Sequence, residues 1–522
     1  MAPSSSPSAR VQSPAAAPPS PAPRSSSPSS SSSPQPQPQP QQQPPARSLA
    51  RRVLAELGLV ALARAPRDVK LLVAQRLVRL AAYGASTLVL VSFLRALGHS
   101  RAQAGLFMTL TLAGDVVVSL ALALAADRLL GRRAVLRLGA ALMAASGLVF
   151  AAAPPSYAVL LAAAVLGVIS PSGNEIGPFR AVEESVVAHL TPPRDRPDVY
   201  AWYSLAGTAG TALGMVVCGW AVEGARSALG WSLLAAYRAV FLAYAALGLV
   251  KLALALALSP ACEADEPPAK PTRKPAAATV AAETTPLLDG VPSPDPDPDS
   301  DPEPQPETKP RQRWWAAMVP QLSPESKGIT AALCLLFALD SFASGLAPLS
   351  WVTYYFRSRF DLDEGRLGSV FFTTSIISAS SVIVASSLAK RLGNVKTMVF
   401  THLPSAVFLA LIPVPSSLPL ALLFLILRAC TQSMDVAPRS AFLAAILLPG
   451  ERTAVMGAVN VVKTTAQSLG PLITGVLAGR DLFWVSFVCA GSLKACYDLG
   501  LLAVFKNREH RDAEQRHDEE TQ

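Results

Sequence analysis

Charged side chains stand inside long apolar runs at a few positions, and these are where the chain could do chemistry. The segment SPSGNEIGPFRAVEES (residues 170–185) sets Glu175, Arg180, Glu183 and Glu184 beside Pro171, Gly173, Gly177 and Pro178. Such prolines and glycines break a helix and free backbone groups that need partners. LRACTQSMDVAPRSAF (residues 427–442) repeats the theme with Arg428, Gln432, Asp435 and Arg439, while Asp115 and Asp340 each lie in the middle of an apolar run. A charge at mid-helix in a bilayer costs about 2.5–3.5 kcal/mol even on insertion scales, so these residues must face a cavity or a partner. More than one chemistry is open for each. Glu175 carries a coupling proton or forms a fixed pair with Arg180. Arg428, about ten residues inside its run, binds an anionic solute, tunes a carboxylate, or pairs with Asp340 or Asp115. Asp115 and Asp340 either line a cavity or pair with Arg76, Arg79 or Arg428. Lys494 and Asp498 are spaced i, i+4, so they can satisfy each other.

The elements that must position these groups follow from composition. Of 522 residues, 51% are apolar and only 16% charged, although residues 1–50 and 260–326 are polar and dilute the average. Soluble domains carry about 25% charged residues, which excludes a soluble enzyme as the main reading. Twelve stretches are long enough to cross a bilayer, which takes about 20 apolar residues. They cover 71–95, 103–126, 134–153, 157–188, 199–222 and 233–258, then 329–356, 366–389, 396–414, 418–447, 453–478 and 482–504. The fourth and tenth exceed the hydrocarbon thickness, so their helices are expected to extend into the cytoplasm.

The expected organisation is therefore a disordered Ser/Pro/Gln-rich tail at 1–47, an amphipathic helix at 48–70, and a six-helix bundle at 71–258. An acidic Pro-rich linker at 259–326 leads to a second bundle at 327–505 and a charged tail at 506–522. The net charge of +9 comes from basic residues beside apolar runs, a membrane pattern and not a nucleic-acid one. With the N-terminus inside, the cytoplasmic loops hold Arg128, Arg132, Arg133, Arg137, Arg194, Arg196, Lys390, Arg391, Lys396 and Arg452 against seven arginines in the outer loops, and an even span count keeps both termini in the cytosol. The N-terminus has no apolar core, so no cleavable signal peptide is expected. Trp202, Tyr203, Trp351, Tyr354 and Tyr355 near the run ends are expected in an interfacial belt.

The two bundles also lie over one another. Tyr83 matches Phe342 at an offset of 259, and Gly105 matches Gly368 at 263. Glu175 and Pro178 fall on Asp435 and Pro438 at 260, and Gly214 falls on Gly470 at 256. An offset this steady marks a duplication, and duplicated halves in transporters enclose a midplane site and rock about it.

The loop LALAADRLLGRR (residues 122–133) carries Asp127, Arg128, Gly131, Arg132 and Arg133. It resembles the cytoplasmic loop signature of the major facilitator superfamily, with Ala123 in place of the usual first Gly and one extra Leu before Gly131. The second-half counterpart, SSLAKRLGNVK, keeps Arg391, Gly393 and Lys396 but has Lys390 in place of the acid. SPSGNEIGPFRAVEES and SWVTYYF resemble a fungal-type branch of undefined substrate. The resemblance spans about residues 71–505 and implies an all-α membrane protein, with twelve transmembrane helices in two pseudo-symmetric six-helix bundles. It implies a latch of Asp127, Arg128, Gly131, Arg132 and Arg391, to which Glu183 or Glu184 could add a carboxylate. It leaves Asp115, Glu175, Arg180, Asp340, Arg428, Asp435 and Arg439 for substrate or coupling.

No GxxxxGK[ST], HExxH or Ser/His/Asp set is present, so neither ATP-driven transport nor catalysis is encoded, and no cofactor or metal is expected. The six cysteines form no CxxC pair. The expected function is secondary transport of a small solute by alternating access, proton-coupled, by a monomer in the plasma membrane or a vacuolar or endosomal one. ETTPLL (residues 283–288) fits an acidic dileucine sorting signal for the latter. The rival is a transporter-like receptor or scaffold signalling through its cytosolic tails.

Overall fold

The computed structural model describes residues 59–125, 131–152, 156–167, 169, 178–263, 324–447 and 451–521. The tail at 1–47, most of the linker with ETTPLL, and Asp127, Arg128 and Glu175 lie outside the described residues. Every regular element among those described is helical.

Local chemistry explains most boundaries. A short helix α1 (Leu59–Arg64) stops before Pro66, which opens α2 (Arg67–Ala96). Then follow α3 (Arg101–Ala125) and α4 (Arg132–Ala152). The described residues of the fourth apolar run form two helices, α5 (Tyr157–Leu166) and α6 (Pro178–Leu190). After α7 (Arg196–Ser227), the Ser232 hydroxyl accepts from Ala235 N–H and caps α8 (Leu233–Leu256). The second half opens with α9 (Pro324–Leu346) and α10 (Leu349–Phe360). Asp361 takes the left-handed conformation at the end of α10, and Asp363 caps α11 (Glu364–Leu392) through Arg366 N–H. Next come α12 (Asn394–Leu411), α13 (Leu418–Thr431) and α14 (Val436–Ile446). The half closes with α15 (Arg452–Gly479) and α16 (Phe483–Thr521), which carries on through the segment expected as a tail.

Among the described residues, six helical stretches are long and apolar enough to cross a membrane: Arg67–Ala96, Arg132–Ala152, Arg196–Ser227, Leu233–Leu256, Ser326–Phe360 and Phe483–Phe505. Two expectations are corrected here. The fourth and tenth runs do not continue as overlong helices; each is interrupted, the tenth by turns at 432–435. The seventh run bends at Ala347 and Pro348, because proline offers no N–H to the preceding turn.

Within the first half, α2 packs on α7 and α8, and α4 on α8; within the second, α9 packs on α15 and α16, and α12 on α16. The halves meet where α3 lies on α15 and α7 on α11. Two ends can be told apart by contacts. At what we call the near end, Asp68 of α2 accepts hydrogen bonds from the backbone and hydroxyl of Ser259, just after α8. Glu263 accepts from the backbone N–H groups of Arg132 and Arg133 at the start of α4, at 2.7 and 3.2 Å. A carboxylate there meets both the orphan donors and the positive end of the helix dipole. The opposite, far end holds the turns after α2, α7 and α15.

Candidate functional site

The far end is closed, and backbone contact closes it. A Cβ built on Gly105 of α3 would lie 2.5 Å from the Pro471 carbonyl oxygen and 2.9 Å from Gly475 Cα of α15. On the other flank, a Cβ on Gly219 of α7 would lie 2.2 Å from the Glu364 carbonyl oxygen of α11. Only glycine permits such approach.

Polar ties reinforce both flanks. Glu364, 2% exposed, accepts from Tyr237 at 2.8 Å and pairs with Arg357 at 2.7 Å and Arg226 at 3.6 Å. Tyr237 and Arg226 belong to the first half, so one buried carboxylate joins the two. Trp220 Nε1 donates to Ser369 at 3.0 Å beside it. Across the interface, Arg101 donates to Asp481 at 3.0 Å, to the Ala478 carbonyl at 2.7 Å, and to the Tyr354 hydroxyl at 3.4 Å. Sequence reasoning missed Glu364. The available signal was a carboxylate one residue after a capping Asp, too common to single out.

Each half buries its own charge network. In the first, Glu183 is fully buried and meets Arg79 at 2.5 Å, Lys251 at 3.4 Å and the Tyr203 hydroxyl at 2.8 Å. Arg76 stacks over the Tyr203 ring at 4.0 Å. Glu183 thus ties α6 to three other helices of its own half, α2, α7 and α8. Glu184, its neighbour, pairs instead with Arg180 one turn back, at 2.7 Å on the accessible face of α6.

In the second half, Asp340 of α9 takes Lys494 of α16 at 2.6 Å and Arg439 of α14 at 3.7 Å. Arg439 also pairs with Asp435 and lies over the Phe337 and Tyr497 rings. Lys463 sits 5.3 Å above Phe337. His402 Nδ1 lies 3.0 Å from both Asp498 oxygens. The structure thus brings Asp340, Asp435 and Arg439 into one cluster. Lys494 and Asp498 do not satisfy each other; each turns to a different helix.

Two groups stand apart. Asp115 is buried on α3, and its Oδ1 has no hydrogen-bond partner among the described residues. Arg428 is half-buried on α13, and its guanidinium has no partner among them either. Gly131, with φ of +75°, approaches Glu263 and holds the loop conformation at the head of α4, next to Arg132. Arg391 lies exposed at the near end of α11. The aromatics expected in a belt are mostly core. Trp351, Tyr203 and Tyr355 are buried, and Trp351 Nε1 donates to the Pro471 carbonyl, because these indole and phenol dipoles find partners between helices.

Two helical halves, duplicated in sequence, each holding charges in an apolar interior and sealed together at one end, define a membrane transporter fold. The chain belongs to the Major Facilitator Superfamily, whose family profile matches residues 71–327 and 328–521. It is 39% identical over 452 residues to the Saccharomyces cerevisiae membrane protein YJR124C, covering 84% of this chain and 94% of that one. Among solved structures it is similar to the nucleoside transporter NupG (TM-score 0.59, 14% identity, 84% of this chain and 100% of that one). It is also similar to a D-xylose-proton symporter (TM-score 0.59, 16% identity, 83% and 96%). At such identities the structural likeness speaks for the fold alone.

Proposed function

We propose that the protein moves a small solute across its membrane by alternating access, coupled to a proton. The carrying observation is the far end, where the halves close backbone to backbone around Glu364. In an alternating carrier one face is closed while the other admits solute, and rocking about a midplane site exchanges them. The near end, with both termini, lies in the cytosol. There the loop residues Asp127, Arg128, Gly131, Arg132 and Arg391 latch the halves in the opposite state, with Glu184 within reach on α6. The carrier works as a monomer in the plasma membrane or an endosomal or vacuolar one.

Asp115 carries the proton in this reading. Glu183, Asp340, Asp435 and Asp498 are each held by a cation or a histidine, whereas Asp115 is buried without one. With no cation holding it, its carboxyl is the one free to exchange a proton as access alternates. Glu175, set between Gly173 and Gly177 in the sequence, is the second candidate.

The test compares small-molecule profiles of medium, cytosol and vacuoles in cells expressing wild type or Asp115→Asn. Wild type redistributes a solute in a manner that depends on the pH difference, and Asp115→Asn abolishes that dependence. If neither protein moves any solute although both reach the membrane, the reading fails.

A further inference from the structure

Within the two halves Arg76 and Lys463 lie over the Tyr203 and Phe337 rings. Among the described residues, Arg79 and Lys251 serve Glu183, Lys494 serves Asp340, and Arg439 serves Asp340 and Asp435. Arg428 serves none.

Its place in the helix makes this consequential. Arg428 is ten residues from Leu418, where α13 begins at the far end. At 1.5 Å per residue that is about 15 Å along the axis, half of a hydrocarbon core of about 30 Å. Part of its side chain stays accessible. Gln432 lies one turn on, so it shares the face of Arg428. Gln432 Nε2 donates to the Ser378 hydroxyl of α11 at 3.4 Å, and that hydroxyl lies 2.5 Å from the Ser433 hydroxyl. Helices α11 and α13 run in the same direction, so one turn back from this contact Arg428 comes level with Thr374 of α11. The helix face shared by Arg428 and Gln432 therefore lies on the α11 side that carries these hydroxyls.

The duplication sharpens the point. At the offset of 260 that matches Glu175 to Asp435, Arg428 falls on Val168. The cation is thus absent from the equivalent place in the first half, and the shared scaffold does not require it.

Resting on the transport reading above, we propose that Arg428 is the receptor for an oxyanion on the transported solute, a carboxylate or a phosphate, with Thr374, Ser378 and Gln432 beside it. A guanidinium presents forked donors that match two oxygens of either group, and hydroxyls complete the shell. A resident carboxylate would compete with such a solute, and among the described residues no carboxylate is paired with Arg428.

The test uses the purified full chain in lipid vesicles. Labelled acetate, succinate, inorganic phosphate and glycerol phosphate are offered alongside glucose and uridine. Wild type accumulates a carboxylate or a phosphate compound, and the arm that responds tells which. Arg428→Gln lowers that uptake at least ten-fold, and Arg428→Lys restores part of it. Arg428→Gln also melts at the same or a higher temperature than wild type, because an uncompensated charge has gone; a structural arginine would move the melting point down. Uptake of glucose or uridine equal in wild type and Arg428→Gln overturns the oxyanion assignment and leaves transport standing. Entry of no compound into wild-type vesicles also overturns it, while the profiling of Asp115→Asn judges the transport reading separately.

Discussion

Lys494 reaches Asp340 on the first helix of its half, 2.6 Å away, and leaves Asp498, one turn along its own helix, to His402. The same lysine donates to Ser344 at 2.8 Å, so its ammonium has two partners on α9 and none on α16. The pair therefore fastens helix to helix where the i, i+4 spacing alone would have tied one helix to itself.

Breaking that pair from one side strands a buried charge. Asp340→Asn or Lys494→Met each costs about 3–5 kcal/mol in SDS-titrated unfolding. The double variant costs less than the two together. Additivity within about 0.5 kcal/mol would show that the pair is not coupled.

Glu364→Gln removes the charge that Arg226 and Arg357 face. Hydrogen bonds to charged groups are worth about 1.5–3 kcal/mol, enough to raise the open population of the far end about ten-fold. Ser369→Cys, beside Glu364, is the reporter. Its alkylation by a membrane-impermeant reagent speeds up in the Glu364→Gln background, and an unchanged rate would mean that Glu364 is not the tie.

Gly105→Ala places a methyl 2.5 Å from the Pro471 carbonyl oxygen, whereas a methyl on Gly224 meets nothing within 4 Å. Overpacking of this kind costs about 1–3 kcal/mol. Gly105→Ala should therefore spread the far end and lower the melting temperature while Gly224→Ala does neither. Distances between spin labels on the turns after α2 and α15 read the first effect.

Cys262, fully buried just after α8, has its thiol pushed up to about 12 by burial, with Asp68 adding to the shift. A raised thiol pKa keeps the neutral form below that pH, so at pH 8 the thiolate fraction is about 10⁻⁴, against about a quarter for a free cysteine of pKa about 8.5. Maleimide labelling of Cys262 at pH 8 is correspondingly slow and rises with pH up to about 12. Asp68→Ala releases Ser259 and speeds the labelling; equal rates in both proteins would show that the strap is not held there.

The helices were legible because hydrophobic length carries through the sequence, and the duplication fixed how the halves correspond. The break at Pro348 was masked by apolar residues on both sides, which keep a run continuous whether or not the backbone bends. Partners were harder to read than positions. Asp340, Asp435 and Arg439 stood out as charges in apolar runs, but their union with Lys494 depends on which helices adjoin, which spacing along one chain does not encode. Glu183 illustrates the opposite failure. Read beside Arg180 and Glu184 it looked like part of a loop latch, yet the helical turn sends it inward to Arg79 and Lys251 while Glu184 faces out. Tyr203 and Trp351 were misplaced for a related reason: nearness to a run end does not tell whether a ring faces lipid or a neighbouring helix.

The backbone contacts of Gly105 with Gly475 and of Gly219 with Glu364 also bear on insulation. Where main chain rests on main chain, no side chain can swing aside to admit a file of water, and a file of water is what conducts protons. The buried ion pairs of Glu364 block the same path with fixed charge. A far end closed in this way can hold a voltage or a pH difference across the protein without short-circuiting it.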